Sequence, residues 1–245
     1  MKNFTTYSFI LFLVFMTKLY AKETILQKKN QNAIKSEILA LAESFKGQGD
    51  PDLSKQKQLE QLVEKLLKVS PQKPVAERLP LIQGSWKQVW GPYDYVSDKR
   101  GVDPSIDAEN IYQVVFRDGY YYNVNTDPTK EKLSIGLLRG EYVLDSKQPN
   151  LLNVSFTKFD QAKGCPAKGL GFIDLPQKSE AGTLDNASWL IPSFVVRWFF
   201  GQGALREVYT DQDLRITFGS SRKDLEKNYI YVLKRIQNAP IKVCE

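Results

Sequence analysis

Not one histidine occurs among these 245 residues, and cysteine occurs only twice. Without histidine there is no Ser-His-Asp or Cys-His nucleophilic machinery, no histidine-based zinc site and no ordinary general base near neutral pH. Two cysteines alone cannot build a thiolate cage around a metal. The chain also lacks a G-x-S-x-G elbow, a Walker loop and a dinucleotide fingerprint. Two acidic stretches fall short of calcium loops. In DQDLRITFGSSR, Asp211 and Asp213 are followed by Arg215, Ile216 and Arg222, where an oxygen ligand, a glycine and a glutamate belong. NVNTDPTKEKLS places Pro128 and Ser134 at the glycine and glutamate positions. Carboxylates such as the Asp211/Asp213 pair remain as acid–base groups, but Asp211 flanks a turn. No catalysis, no metal and no cofactor are expected.

What is present is apolar and mildly basic. Hydrophobic residues make up 42% of the chain against 25% charged, which fits a globular protein. The excess of +6 is too diffuse for a nucleic-acid partner but suits an anionic surface such as lipid headgroups. Part of it lies in the first residues, MKNFTTYSFILFLVFMTKLYAKE. A lysine, an apolar run shorter than the ~20 residues of a membrane-spanning helix and a Leu19-Tyr20-Ala21 ending read as a secretory signal peptide, with cleavage after Ala21. Losing Lys2 and Lys18, and no acid, lowers the excess from +6 to +4. The expected destination is the periplasm or the exterior. In such a compartment Cys165 and Cys244 are candidates for a disulfide tying the C-terminus to the middle of the chain, the alternative being two independent thiols.

Residues 22–74 have a helical pattern. Ile34, Ile38, Leu41, Ala42 and Phe45 share one face, as do Leu59, Leu62, Val63, Leu66 and Leu67, and KGQGDPDLS is the turn between them. The hairpin is expected to pack on the following domain, or else to present its apolar face to a partner. From Leu81 the period becomes two. Leu152, Val154 and Phe156 alternate with Asn153, Ser155 and Thr157; Leu214, Ile216 and Phe218 alternate with Arg215 and Thr217; Tyr229, Tyr231 and Leu233 alternate with Ile230, Val232 and Lys234. Short alternating runs parted by turn residues imply an antiparallel sandwich or barrel over residues 75–245. Aromatic residues concentrate in DGYYYNV and in WLIPSFVVRWFF. Buried core strands are the simpler reading. The functional reading is the wall or rim of an apolar cavity formed by Tyr122, Trp189, Phe194, Trp198 and Phe199, with Arg197 beside a headgroup.

Gly84 and Trp86 open the first strand with a Gly-x-Trp, the mark of lipocalin-like barrels. VYTDQDLRI supplies Tyr209, Asp211, Asp213, Leu214, Arg215 and Ile216, and YIYVLKR ends on Arg235. With the leading helices, this resembles the plastid lipid-associated proteins, also called plastid fibrillins, over roughly Ala33 to Ile236. Thr210 and Gln88 depart from the family pattern, which usually has leucine and an apolar residue there. The resemblance implies a mainly β protein, a lipocalin-like antiparallel β-barrel preceded by an N-terminal helical hairpin. It implies a protein that holds hydrophobic molecules or associates with lipid, with no activity attached. It also implies that Arg235 lies over the ring of Trp86.

On a regular strand Gly84, Trp86, Gln88 and Trp90 would share the inward face, with Trp86 at the closed end and Trp90 and Gln88 deeper, against a ligand. The resulting expectation is an exported, non-enzymatic binder of a lipid or other hydrophobic small molecule. The alternative is a structural protein with a filled barrel, meeting a membrane surface or a protein partner of unknown identity through its basic surface or its helices.

Overall fold

The structure, a computed structural model, describes residues 24–44, 53–91, 111–127, 134–163, 174–184, 187–191, 194–196, 201–221 and 224–237. The leader 1–21, Cys165, Cys244, Arg197, Trp198 and Phe199 lie outside these residues. No described helix is long and apolar enough to cross a membrane.

Two helices come first, α1 over residues 24–43 and α2 over Leu53–Val69. A short helix, α3 (Val75–Ile82), follows Pro74, whose missing N–H costs nothing at a helix start. The strands are β1 (Gly84–Trp90), β2 (Ile111–Val115), β3 (Tyr120–Asp127), β4 (Ser134–Leu144), β5 (Leu151–Lys163), β6 (Ala187–Ile191), β7 (Gln202–Thr210), β8 (Leu214–Ser221) and β9 (Asp224–Ile236). Helix α4 (Asp174–Ala181) lies between β5 and β6.

Eight strands close an antiparallel barrel in the order β1-β2-β3-β4-β5-β7-β8-β9, and β9 returns to β1. Strand β5 is long enough to be shared. Its first residues, Leu151–Ser155, pair with β7, its later ones from Phe159 pair with β6, and β4 runs along both parts. Closure removes the free edges that would otherwise pair with other chains.

Both faces of this sheet are covered, so apolar residues are needed on both. Inside, Trp86, Val115, Tyr121, Leu152, Val154, Tyr231 and Leu233 form one buried cluster with Val75 and Ile82 of α3. Outside, the helical hairpin lies on β1, β7, β8 and β9. Ile38, Ala42, Leu59, Val63 and Leu66 pack against Tyr209, Leu214, Ile216, Ile230 and Val232. The hairpin therefore shares a core with the barrel.

Helix α4 covers the outer face of β2, β3 and β4. Leu175 is buried among Val124, Ile135 and Leu137. A polar clamp holds it: the Ser179 hydroxyl bonds Asp160, Lys158 Nζ pairs with the same carboxylate at 2.9 Å, and Arg139 Nε reaches Glu180 at 2.7 Å.

The single inward face expected for Gly84, Trp86, Gln88 and Trp90 fails at its last member. The β1–β9 register jumps, with Gln88 opposite Leu233 and Trp90 opposite Val232, so Val89 is an extra residue. Such a bulge turns the next side chain to the other face. Trp90 packs outside, among the residues beneath α1 and α2. A second jump between Glu207 and Tyr209 sends Tyr209 to the same place. Tyr122, also expected at the cavity, is an outer residue too: it lies opposite Arg139, buried under α4, and its hydroxyl meets Ser179 and Glu180. Its neighbour Tyr121 is the inward one.

Candidate functional site

Residues paired in register across the sheet share a face, so the ladder tells which side chains line the barrel. They form three layers.

The floor is the Gly-x-Trp motif and its partner. Trp86 is wholly buried and donates its indole N–H to the Ile82 carbonyl at 2.8 Å. The Arg235 guanidinium lies 4.0 Å from the centre of the Trp86 ring. That guanidinium donates to the carbonyls of Gln83 (2.8 Å), Leu81 and Gln212, tying α3, the start of β1 and the β7–β8 turn together. Gly84 is required here for two reasons. Its φ is +112°, and a Cβ would sit 2.7 Å from Arg235 Nη1.

The middle layer is ionic and dry. Arg215 points inward, the Leu214 and Ile216 side chains on either side of it point out, and it pairs with Glu207, the two side chains being 2% and 0% exposed. Arg215 Nε donates to Glu207 Oε2 at 3.0 Å, Nη2 to the other carboxylate oxygen and Nη1 to Gln113 Oε1. Gln113 passes the chain on to Asn123 at 3.0 Å. Arg78 of α3 donates to the Glu207 carbonyl at 2.8 Å and to Thr210 Oγ1 at 3.1 Å. Neither Glu207 nor Arg78 stood out in the sequence. A glutamate in an alternating strand reads as a solvent-facing residue until its partner is known.

Above that layer the barrel loosens. Inward residues nearer the other end, among them Asn123, Asn125, Leu138, Phe156, Phe159 and Leu205, are half-buried, whereas Trp86, Val115, Leu152 and Leu233 nearer the floor are buried. Three buried polar atoms facing this space have no hydrogen-bond partner: Gln88 Nε2, Asn125 Oδ1 and Thr217 Oγ1. Glycines keep the aromatic rings close to the wall. A Cβ on Gly219 would meet the Tyr231 ring at 2.6 Å, and one on Gly140 would meet Tyr121 at 2.6 Å. The lining of this half, here called the cup, has the ionic layer as its base, amides on β2 and β3 and phenylalanines on β5.

Of the other residues expected at a cavity, Trp189 is paired with Gln161 in β6, and Phe194 is 72% exposed. Arg197, Trp198 and Phe199 fall outside the described residues.

A protein-family model, PAP_fibrillin, matches residues 37–225, most of the chain. The chain belongs to the PAP/fibrillin family. The comparison with curated proteins gave no match. Within this PAP/fibrillin chain the match takes in the last two turns of α1, helices α2 to α4, the Gly-x-Trp strand and the late motif, and stops before Arg235. Family and closed barrel together fit a lipid-associated protein.

The late PAP/fibrillin motif has a structural meaning. Asp211 Oδ1 accepts the backbone N–H groups of Asp213 and Leu214, both at 2.9 Å, which makes the β7–β8 turn. Its Oδ2 accepts Lys35 Nζ of α1 at 2.6 Å and the Tyr209 hydroxyl at 2.7 Å, fastening the hairpin to the barrel. Asp213 is exposed, 3.6 Å from Lys35. Burial alone would raise the Asp211 pKa, but the bonds from Lys35, Tyr209 and the two amides outweigh it and hold the carboxyl below its usual range. A carboxyl depressed on folding stabilises the fold above its unfolded pKa, about 4, and stops doing so as the pH falls through the folded value. Asp211→Asn should therefore lose roughly 1.5–3 kcal/mol at pH 7, the range for bonds to charged groups. In urea titrations at several pH values, the gap from wild type should close as the pH falls below the usual carboxylate range. A gap independent of pH would show that the charge of Asp211 has no part in the docking.

Proposed function

We propose that this protein is an exported, non-catalytic carrier that holds a lipid or other hydrophobic small molecule in the upper half of its barrel. The observation that carries the reading is the cup itself. Its accessible walls are largely aromatic and aliphatic, and it contains three buried polar atoms without partners. Buried polar groups are nearly always satisfied, and apolar pockets with a few placed polar groups are the usual form of a ligand site. Chloroform extraction of the native protein should release a stoichiometric apolar compound, also visible as added mass in native mass spectrometry. An empty barrel in both measurements, with no uptake of added lipid, overturns the reading. Export rests on the leader, and N-terminal sequencing of the mature protein should begin at Lys22.

A second reading, an interaction protein, has one feature in its favour. A groove of about 650 Å3 runs between α2 and strands β7 and β8, with Val63, Leu67 and Phe218 along it and Glu60 and Glu64 at its side. Those acids disfavour an anionic membrane at this face. Flotation with neutral liposomes that persists when the barrel is occupied would support that reading over the carrier.

A further inference from the structure

We infer that the cup selects a neutral, hydroxyl-bearing amphiphile, such as a long-chain alcohol, over the matching carboxylate. This rests on the barrel being a binding cavity, as proposed above.

The first argument is charge. Among the described residues, three cations lie in the floor and the ionic layer, and all are engaged. Arg78 gives its donors to the carbonyls of Lys73 and Glu207, to Thr210 Oγ1 and to Asn150 Oδ1. Arg215 is taken up by the Glu207 carboxylate and Gln113. Arg235 lies on Trp86 and gives its donors to three backbone carbonyls. A fatty-acid carboxylate brought down to the ionic layer would meet a pair that is already neutral. It would lose its hydration with no free counter-charge among the described residues to replace it, which is among the costliest events in a protein interior.

The second argument is donor and acceptor type. Gln88 Nε2 can only donate, Asn125 Oδ1 can only accept, and the Thr217 hydroxyl can do either. An ionised carboxylate only accepts, so it leaves Asn125 unsatisfied. A hydroxyl both donates and accepts, so it can answer either kind of atom. These atoms are placed at two levels. Gln88 lies opposite Leu233, and Thr217 opposite Tyr231, the next inward residue along β9. Asn125 lies four residues beyond Tyr121 on β3, ~13 Å along the strand at the usual rise and away from the floor. A head hydroxyl at either level leaves an alkyl chain against Leu138, Phe156, Phe159 and Leu205.

The test uses two probes with one fluorescent chain, cis-parinaryl alcohol and cis-parinaric acid, titrated into the delipidated protein at pH 8, where the acid is ionised. The alcohol should bind at least about tenfold more tightly. The double variant Thr217→Val/Asn125→Leu, which removes a head partner at each level, should weaken the alcohol by roughly three- to tenfold, the equivalent of one hydrogen bond, and leave the acid unchanged. The melting temperature should change little, because the Thr217 hydroxyl and the Asn125 Oδ1 that are removed have no partner. Equal or tighter binding of the acid overturns the selectivity while leaving the carrier reading in place, and this wild-type comparison needs no variant to fold. A folded double variant that binds the alcohol like wild type also overturns it. If neither probe binds, the polar atoms serve hydration, and the selectivity and the carrier reading fall together.

Discussion

Trp86→Ala should lower folding stability by about 3–5 kcal/mol, the range for deleting a large buried aromatic. Three losses coincide at this residue. The ring fills the floor of the barrel, its N–H holds the end of α3 through the Ile82 carbonyl, and its face carries the Arg235 guanidinium. The last contact is worth roughly 2 kcal/mol when desolvated. Arg235 would keep its carbonyl partners but lie over a void. Urea unfolding followed by far-UV circular dichroism measures the loss. If Trp86→Ala is nearly as stable as wild type but no longer binds ligand, the residue belongs to the cup and not to the floor.

Glu207→Gln should be comparably severe, at about 3–5 kcal/mol, because it leaves a buried guanidinium without its counter-charge. The glutamine keeps the shape but only one of the two oxygens that accept from Arg215, so the cost combines the lost charge with a lost hydrogen bond. The complementary expectation concerns the pair as a whole. Replacing Glu207 and Arg215 together by apolar residues of similar volume should recover most of the loss, since a buried ion pair regains little beyond its own desolvation. Denaturation midpoints of the single and double variants form the test. A Glu207→Gln protein within about 1 kcal/mol of wild type would mean that water reaches the pair. The site would then be wet below the cup, and the charge argument for a neutral ligand would lose its footing.

Much of the fold was legible in the chain. The helical hairpin follows from apolar residues at three- and four-residue spacing, and the barrel from alternating runs that begin at a Gly-x-Trp. The turn at Asp211 was visible because an aspartate two residues before another, ahead of an apolar strand, caps its own backbone. Helices α3 and α4 were not legible. Each has only eight residues and contains a proline, so neither shows enough turns to establish a period. The bulges at Val89 and Val208 were hidden for a related reason. One extra residue inverts every later side chain, yet the sequence on either side looks unbroken. That is why Trp90 was expected inside with Gln88 and stands outside.

The candidate site was legible only in part. Gln88 shares the inward face with Trp86 by strand alternation, but Asn125, Thr217, Glu207 and Gln113 gave no local signal. Each is an ordinary polar residue in an alternating strand, and only the strand across the barrel turns it into a lining group.

Strand β8 separates the two kinds of information. The sequence by itself determined that Leu214, Ile216 and Phe218 lie on one face and Arg215 and Thr217 on the other, because a strand alternates. It also determined that Gly84 could take a backbone conformation closed to other residues. It did not determine which face of β8 was the interior. By hydrophobicity alone the leucine and isoleucine would go in and the arginine out. The tertiary structure reverses this: α1 and α2 must bury their apolar stripes, and they do so on Leu214 and Ile216 from outside. Arg215 turns inward to a carboxylate from β7 that compensates it. Alternation allows two assignments related by a half-turn, and only the helices outside and the glutamate within make one of them lower in free energy.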